Sequence, residues 1–467
     1  MKKQVYNPYL PLWEYVPDGE PHVFGDRVYV YGSHDRFNGK VFCENDYVCW
    51  SAPVEDLSDW RYEGVIYKKR QAVQGPVQMA MYAPDVTRGP DGRFYLYYCL
   101  AFVNNIQVAV CDSPAGEYQF YGILRHPDGT PYGKKKQDKF CFDPAVLTDD
   151  DGRVWLYSGF AGQPYGRNRT NQNQCLELEA DMLTVRSARD LIPCPKTSAG
   201  TGFEGHEFYE ASSIRKFDGK YYFIYSSMLS HELAYAVSDR PDGGFTYGGM
   251  LHSNGDVGVN GNDRPKCYWG NNHGSIERIN GKYYIFGHRQ TNYHEFSRQA
   301  VAEELCFEDG RFLPAEMTSC GLNGGPLKGE GTYPAVIACT LYGRNGACKT
   351  TKAWDKRVHP CFTQERPDGE TDGGNYIKNI THGTVIGYKY FEFAGAGALT
   401  LCLRGKGDGV FLVSHEEDGA PIATVPVRAA DGWTEVTAPA AFASGKQPLY
   451  FRFAGLGSFD LKHFTLK

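Results

Sequence analysis

Phe208-Tyr209-Glu210-Ala211-Ser212-Ser213-Ile214-Arg215-Lys216-Phe217-Asp218-Gly219-Lys220-Tyr221-Tyr222-Phe223-Ile224-Tyr225-Ser226-Ser227 decides how the rest of the chain is understood. Asp218-Gly219 suits a two-residue type I′ turn, whose two central positions both need φ > 0. The flanks are aromatic and β-branched, as strands prefer. A carboxylate, Glu210, stands at the start of the incoming strand. The same unit recurs: a Gly/Asp or Gly/Asn pair, then a basic residue, then an aromatic one. The copies are Gly25-Asp26-Arg27-Val28-Tyr29, Asp91-Gly92-Arg93-Phe94-Tyr95, Asp151-Gly152-Arg153-Val154-Trp155, Asp218-Gly219-Lys220-Tyr221-Tyr222 and Asn280-Gly281-Lys282-Tyr283-Tyr284. Their last aromatics stand at 29, 95, 155, 222 and 284, so the copies follow at 66, 60, 67 and 62 residues. Each interval holds four short strands and their loops. Five four-stranded sheets around an axis make a five-bladed β-propeller over residues 1–320. The first strand of each blade then lines a central channel, where side chains distant in sequence meet.

After about residue 320 the rhythm stops at the linker-like Gly321-Leu322-Asn323-Gly324-Gly325-Pro326. Residues 321–467 hold short β signals punctuated by Gly and Asp, such as Ala398-Leu399-Thr400-Leu401-Cys402-Leu403 and Gly409-Val410-Phe411-Leu412-Val413. They suggest a smaller β-sandwich. The fold class is therefore all-β, a propeller followed by a sandwich. Polar, Gly-rich stretches at 161–174 and 194–206 are expected to be loops.

The chain has 467 residues and a net charge of −6, which leaves no electrostatic footprint for nucleic acid. No run of about 18 apolar residues predicts a membrane-spanning helix. The Lys2-Lys3 start is followed by no apolar stretch of a secretory signal. The 14 Cys are scattered without a Cys-x-x-Cys pair, which suits reduced thiols and a cytoplasmic address.

Several acids precede the repeated turns at related offsets. Asp18 lies seven residues before Gly25, Asp143 eight before Asp151, and Glu210 eight before Asp218. Glu20 follows Asp18 closely, and Asp85 lies six before Asp91. Matched offsets place these groups at the starts of innermost strands. Clustered carboxylates cannot all ionise freely, so at least one pKa rises. A raised carboxyl can act as a general acid near neutral pH while a second activates water. That is the equipment of a glycosidase. When acid and base stand about 6.5–9.5 Å apart, water fits between them and the anomeric centre inverts. An acid at a strand start can equally cap a turn. His273, seven before Asn280, also falls at a channel position, and His288-Arg289 follows the fifth hairpin, with Arg289 suited to a substrate hydroxyl or a carboxylate.

Asn7-Pro8 with Pro17-Asp18, Phe142-Asp143-Pro144-Ala145-Val146, Phe208-Tyr209-Glu210-Ala211 and Asn272-His273-Gly274-Ser275 resemble glycoside hydrolase family 43. The resemblance covers all five blades. It implies an inverting mechanism with an Asp base, Asp143 as pKa modulator and Glu210 as acid. The family usually has Asp-Pro at its base, whereas Asp18 is followed by Gly19 and the Pro follows Glu20. Counting back from the Gly25-Asp26 turn selects Asp18; aligning on the Pro selects Glu20 as the alternative base. Both keep strand parity. The resemblance also implies a structural calcium ion near His273, mostly water-ligated, and a C-terminal domain similar to family 6 carbohydrate-binding sandwiches. No organic cofactor is implied. The expected activity is exo-hydrolysis of pentose-containing oligosaccharides, with α-L-arabinofuranose first and β-D-xylose second. Asp85, His288 and Arg289 are expected to bind substrate. A non-catalytic carbohydrate-binding propeller is the rival reading.

Overall fold

The computed structural model describes residues 3–73, 79–162, 172–350 and 359–467. Most of the 161–174 stretch expected as a loop lies outside them. The first blade is β1 (Glu20–Phe24), β2 (Arg27–Tyr31), β3 (Tyr47–Pro53) and β4 (Arg61–Tyr67). The second is β5 (Met81–Arg88), β6 (Phe94–Leu100), β7 (Val103–Cys111) and β8 (Gln119–Ile123). The third is β9 (Ala145–Thr148), β10 (Val154–Gly159), β11 (Asn173–Leu178) and β12 (Val185–Arg189). The fourth is β13 (Phe208–Phe217), β14 (Lys220–Ser227), β15 (Glu232–Ser238) and β16 (Thr246–Ser253). The fifth is β17 (Ser275–Ile279), β18 (Lys282–Thr291) and β19 (His294–Leu305). Every sheet is antiparallel in sequence order, and β1, β5, β9, β13 and β17 each contact the next to close a ring.

Four of the five repeated turns fall into two kinds; in the fifth, Gly25-Asp26, only the first residue is left-handed, at 68°. Asp218-Gly219 and Asn280-Gly281 have φ of 50° and 80°, and 48° and 79°, as type I′ requires. In the second and third blades only the glycine is left-handed, Gly92 at 85° and Gly152 at 79°. There Gly92 N–H bonds to Gly89 O and Gly89 N–H to Arg93 O, a type I turn closed by a glycine bulge. The basic residue after each of these turns has a local reason. Asp91 accepts from Arg93, which lies 5.5 Å from the Tyr95 ring, and Asp151 accepts from Arg153, 5.2 Å from Trp155.

The fifth blade carries three strands where four were expected. Its outer edge is covered by the N-terminal segment: Asn7 Nδ2 donates to Ala302 O at 3.0 Å, and Ala302 N–H donates to Asn7 Oδ1 at 3.0 Å. A side-chain amide thus imitates a strand pairing. Val5, Tyr9, Leu10 and Val16 pack behind it with Val30, Phe286 and Ala300, joining the first and last blades in one core.

After the short hairpin β20 (Phe307–Glu308) and β21 (Arg311–Phe312), the C-terminal region forms one nine-stranded sheet bent over its own core. Its strands are β22 (Leu327–Lys328), β23 (Gly331–Pro334), β24 (Thr340–Tyr342), β25 (Cys361–Gln364), β26 (Asn375–Ile380), β27 (Val385–Phe393), β28 (Gly397–Ser414), β29 (Ala423–Ala440) and β30 (Gly445–Leu466). The glycines expected to punctuate short strands instead lie inside long ones. A Cβ on Gly407 would meet Leu456 O at 2.0 Å, and one on Gly457 would meet Lys406 O at 1.9 Å. They permit close backbone approach and do not end the strands.

Candidate active site

Each inner strand enters the channel through unusual backbone. Asp18 and Asp143 themselves have φ of 58° and 45°, Ala211 follows Glu210 at 64°, and Ala83 precedes Asp85 at 35°. The ladders slip beside these points, between Phe208, Glu210 and Ser213 and between Tyr82 and Asp85. Left-handed non-glycine residues cost on the order of 1–3 kcal/mol each and persist where packing over-determines them. Asp tolerates the region best, because its short side chain bonds locally. Here the irregular entries aim carboxylates into the channel instead of into the blade cores.

Asp18, Asp143 and Glu210 line one cavity of about 440 Å³ at the mouth of the channel. Asp18 Oδ1 accepts from Arg298 Nη1 at 2.8 Å and lies 3.3 Å from His288 Nδ1. His273 Nδ1 lies 3.8 Å from Asp18 Oδ1 and 3.7 Å from Asp143 Oδ2. Asp143 Oδ2 also accepts from Ala211 N–H at 3.0 Å, so the residue after Glu210 is tied to the neighbouring blade's acid. Asn271 bridges the group: its Oδ1 accepts from Arg298 Nη1 at 2.8 Å, and its Nδ2 donates to Glu210 Oε1 at 3.4 Å.

The environments push the carboxyls apart. Burial alone would raise Asp18, but the Arg298 guanidinium, helped by His273 and His288, holds it well below the usual carboxylate range. Burial and the Asp18 charge push Glu210 up to about 7. Burial, then the charges of Glu210 and Asp18, also push Asp143 up. Asp18 is thus held as an anion, while the protonated forms of Asp143 and Glu210 are favoured, Glu210 up to about 7. One fixed anion and one retained proton in a single cleft are what acid–base cleavage of an acetal needs. The walls are aromatic, from Phe42, Tyr82, Phe142, Phe160 and Tyr209, and a sugar face can stack on them.

Four expected site residues do not line this cavity. Glu20 lies further along the channel, where Arg215 Nη2 donates to its Oε2 at 2.9 Å and Ser213 Oγ at 3.1 Å. It is closed off from the cavity, which corrects it as an alternative base. Asp85 is fully buried, with Oδ1 2.6 Å from His22 Nε2 and Oδ2 accepting from Val146 N–H at 2.7 Å; it joins blades and does not face substrate. His288 is buried behind Asp18 and touches that acid instead of the cavity. Arg289 points away: it donates to Gln299, Val336 O and Ala338 O, and its guanidinium lies 4.0 Å from the Phe362 ring. It fastens the fifth blade to the C-terminal region. The arginine that lines the cavity from this blade is instead Arg298, on β19.

Burial lowers His273 to about 4, so its imidazole is neutral and able to face a cation. Among the described residues, the one group of three acids or imidazoles that could share an ion is Glu20, His22 and Asp85, and Arg215 already lies against it. His273 Nδ1 stands beside Asp18 and Asp143, and no protein cage of oxygen ligands surrounds it among the described residues.

Sequence reasoning missed Arg298, Asn271, Glu295 and Lys349. Asn271 adjoins the Asn272-His273 motif and could have been included with it. Arg298 sits in an ordinary strand pattern and carried no local signal. It is placed by Asp35, which it grips through Nε at 2.8 Å and Nη2 at 3.0 Å.

A five-bladed propeller whose channel mouth gathers three carboxylates of opposed proton affinity defines a glycoside hydrolase. The sequence model of "Glycosyl hydrolases family 43" matches residues 14–312, and the chain belongs to that family. It is 50% identical over 474 residues, 100% of this chain and 99% of the relative, to a xylosidase/arabinosidase of Thermoclostridium stercorarium. A β-xylosidase/α-arabinofuranosidase of family 43 from a compost microbial metagenome, solved with xylotriose in a calcium-free form, shares 26% identity at a TM-score of 0.51, covering 65% of this chain and 96% of that one. The arabinoxylan arabinofuranohydrolase of Bacillus subtilis matches 99% of this chain and 97% of its own at a TM-score of 0.50 and 21% identity, a likeness of fold.

Proposed function

We propose that the protein releases terminal pentose from arabinoxylan- or arabinan-derived oligosaccharides by inversion, with α-L-arabinofuranose as the first glycone and β-D-xylose as the second. Asp18 takes a proton from the attacking water. Glu210 protonates the departing glycosidic oxygen. Asp143, tied to the backbone after Glu210, orients that acid. The observation that carries this reading is the opposed proton affinity of Asp18 and Glu210 in one aromatic-walled cavity. The names of the relatives favour a pentose, and the size of the cavity favours the end of a chain over its middle.

A calcium ion on water ligands beside His273 would add positive charge near the carboxylates and brace the channel. We place the protein in the cytoplasm, a setting that keeps thiols reduced; 11 of its 14 cysteines are buried. The test is hydrolysis of p-nitrophenyl α-L-arabinofuranoside against the β-D-xyloside, with the product anomer followed by NMR. Turnover that gives the inverted sugar and is lost in Glu210→Ala and Asp143→Asn supports the mechanism. A folded protein that binds oligosaccharide and turns over neither substrate would move it to the binding propellers.

A further inference from the structure

Lys349 belongs to neither the propeller nor the matched family region, yet it lines the cavity beside Glu210. It arrives from the C-terminal region, on the segment after β24. That segment is anchored where Leu341 N–H donates to Lys266 O at 2.8 Å and where residue 349 forms a parallel bridge with Trp269. The lysine stem crosses Gly270 so closely that a Cβ there would meet its Cε at 2.8 Å. Its Nζ donates to Ser230 Oγ at 3.1 Å and lies 5.8 Å from the Trp269 ring. Ser230 Oγ in turn accepts from Asn271 N–H at 3.2 Å, and Asn271 reaches Glu210.

An ammonium has three donors. Ser230 is its hydrogen-bond acceptor among the described residues, so two donors remain for the contents of the cavity. Lys349 also stands on the acid's side. Asp18 is surrounded by Arg298, His273 and His288, whereas the charge of Lys349 acts on Glu210. In the reading proposed above, on which this inference rests, the acid adjoins the leaving oxygen. The sugar next to Lys349 is then the one that departs.

We propose that Lys349 is a substrate-binding residue supplied by the C-terminal region, donating hydrogen bonds to the hydroxyls of the leaving saccharide and so completing an active site that the propeller alone leaves open. The propeller recognises the pentose to be released; the appended sheet recognises what that pentose is attached to.

The test compares Lys349→Met and Lys349→Arg with wild type on an arabinofuranosyl xylo-oligosaccharide and on the matching p-nitrophenyl glycoside, whose leaving group has no sugar hydroxyls. A hydrogen bond from a charged donor predicts a fall in kcat/KM on the order of 10-fold for Lys349→Met on the oligosaccharide, carried mainly by KM, and about 2-fold on the aryl substrate. Lys349→Arg should recover most of the loss. Equal falls on both substrates would mean a mere prop for Trp269 and Gly270 and would overturn the assignment, as would no fall on either. Calorimetry with the oligosaccharide on Glu210→Ala, with and without Lys349→Met, reads the same contact without turnover. A wild type that cleaves neither substrate would sink the hydrolase reading, and this binding measurement would still decide the role of Lys349.

Discussion

Two clusters of buried acids share the channel, and they have opposite fates. The deeper one is Glu20, Asp85 and Glu277 with His22 and Arg215. Arg215 bonds Glu20 and Pro21 O and faces Glu277 at 3.4 Å; Asp85 reaches Val146 of β9; Ser213 donates to Ser275 at 2.7 Å. These contacts touch the inner strand of every blade and form a polar axle. The upper cluster has a guanidinium as well, but Arg298 is already gripped by Asp35 and hydrogen-bonds Asp18 alone among the three cavity acids. Glu210 and Asp143 face an open cavity. Burial pushes Glu20 up as well, to about 8 in spite of Arg215, so a raised pKa alone does not mark the reacting group. A buried carboxylate becomes chemically useful when a ligand can reach it.

The sharpest way to break this contrast is to swap roles by mutation. Asp18→Asn removes the proposed base and should lower kcat by about 10³–10⁴ on every substrate, whatever the leaving group, with the fold intact by circular dichroism. A loss confined to poor leaving groups would instead assign Asp18 to the acid's task. Arg215→Met should do the reverse. Breaking a buried ion pair from one side costs about 3–5 kcal/mol, so urea unfolding should show a large loss of stability. The fraction that remains folded should keep a kcat within a few-fold of wild type. A specific loss of kcat without loss of stability would place the deeper cluster in the reaction.

These two clusters also mark how far the sequence could be followed. The turn repeats gave strand parity and blade count, and parity brought Asp18, Asp143 and Glu210 to the channel. Parity could not separate Asp18 from Glu20, because both face the axis two residues apart. What separates them is depth, set by Arg215, a residue on another blade whose role no local pattern reveals. Arg289 failed for the related reason that β18 turns it toward Phe362 and the C-terminal core. Arg298 and Lys349 were invisible because each is positioned by partners far away in the chain, Asp35 and Ser230. In the C-terminal sheet, Gly405, Gly407 and Gly457 resembled breaks and proved to be points of close approach, a distinction that only the opposite strand supplies.

A third expectation concerns the pH profile. Glu210 must be protonated to act, and its carboxyl is pushed up to about 7, so kcat/KM should fall as pH rises past neutrality. The acidic limb should lie well below the usual carboxylate range, where Asp18 finally gains a proton. Burial and the Asp18 charge raise Glu210, so Asp143→Asn should leave the basic limb in place in whatever activity survives. A limb that moves to lower pH would show that Asp143 is charged while Glu210 titrates and acts by more than orientation.

The smallest expected effect tests the same charge balance in the absence of substrate. Glu210 has the ordinary glutamate value of 4.5 in the unfolded chain and is pushed up to about 7 in the folded one. A raised folded pKa means that the folded state binds the extra proton between those values. The contribution to stability is therefore complete below about pH 4.5 and declines as pH rises through 7, where folding must hold a buried anion near Asp18. Glu210→Gln keeps the shape and removes that ionisation. Its thermal unfolding should match wild type near pH 4.5 and be more stable at pH 8, by on the order of 1–3 kcal/mol. Glu20→Gln is the comparison from the deeper cluster: burial pushes Glu20 up to about 8 in spite of Arg215, so the amide should likewise be more stable at pH 8. A loss of stability there would mean that Arg215 holds Glu20 as an anion; gains at both positions leave access to the cavity as what separates axle from active site.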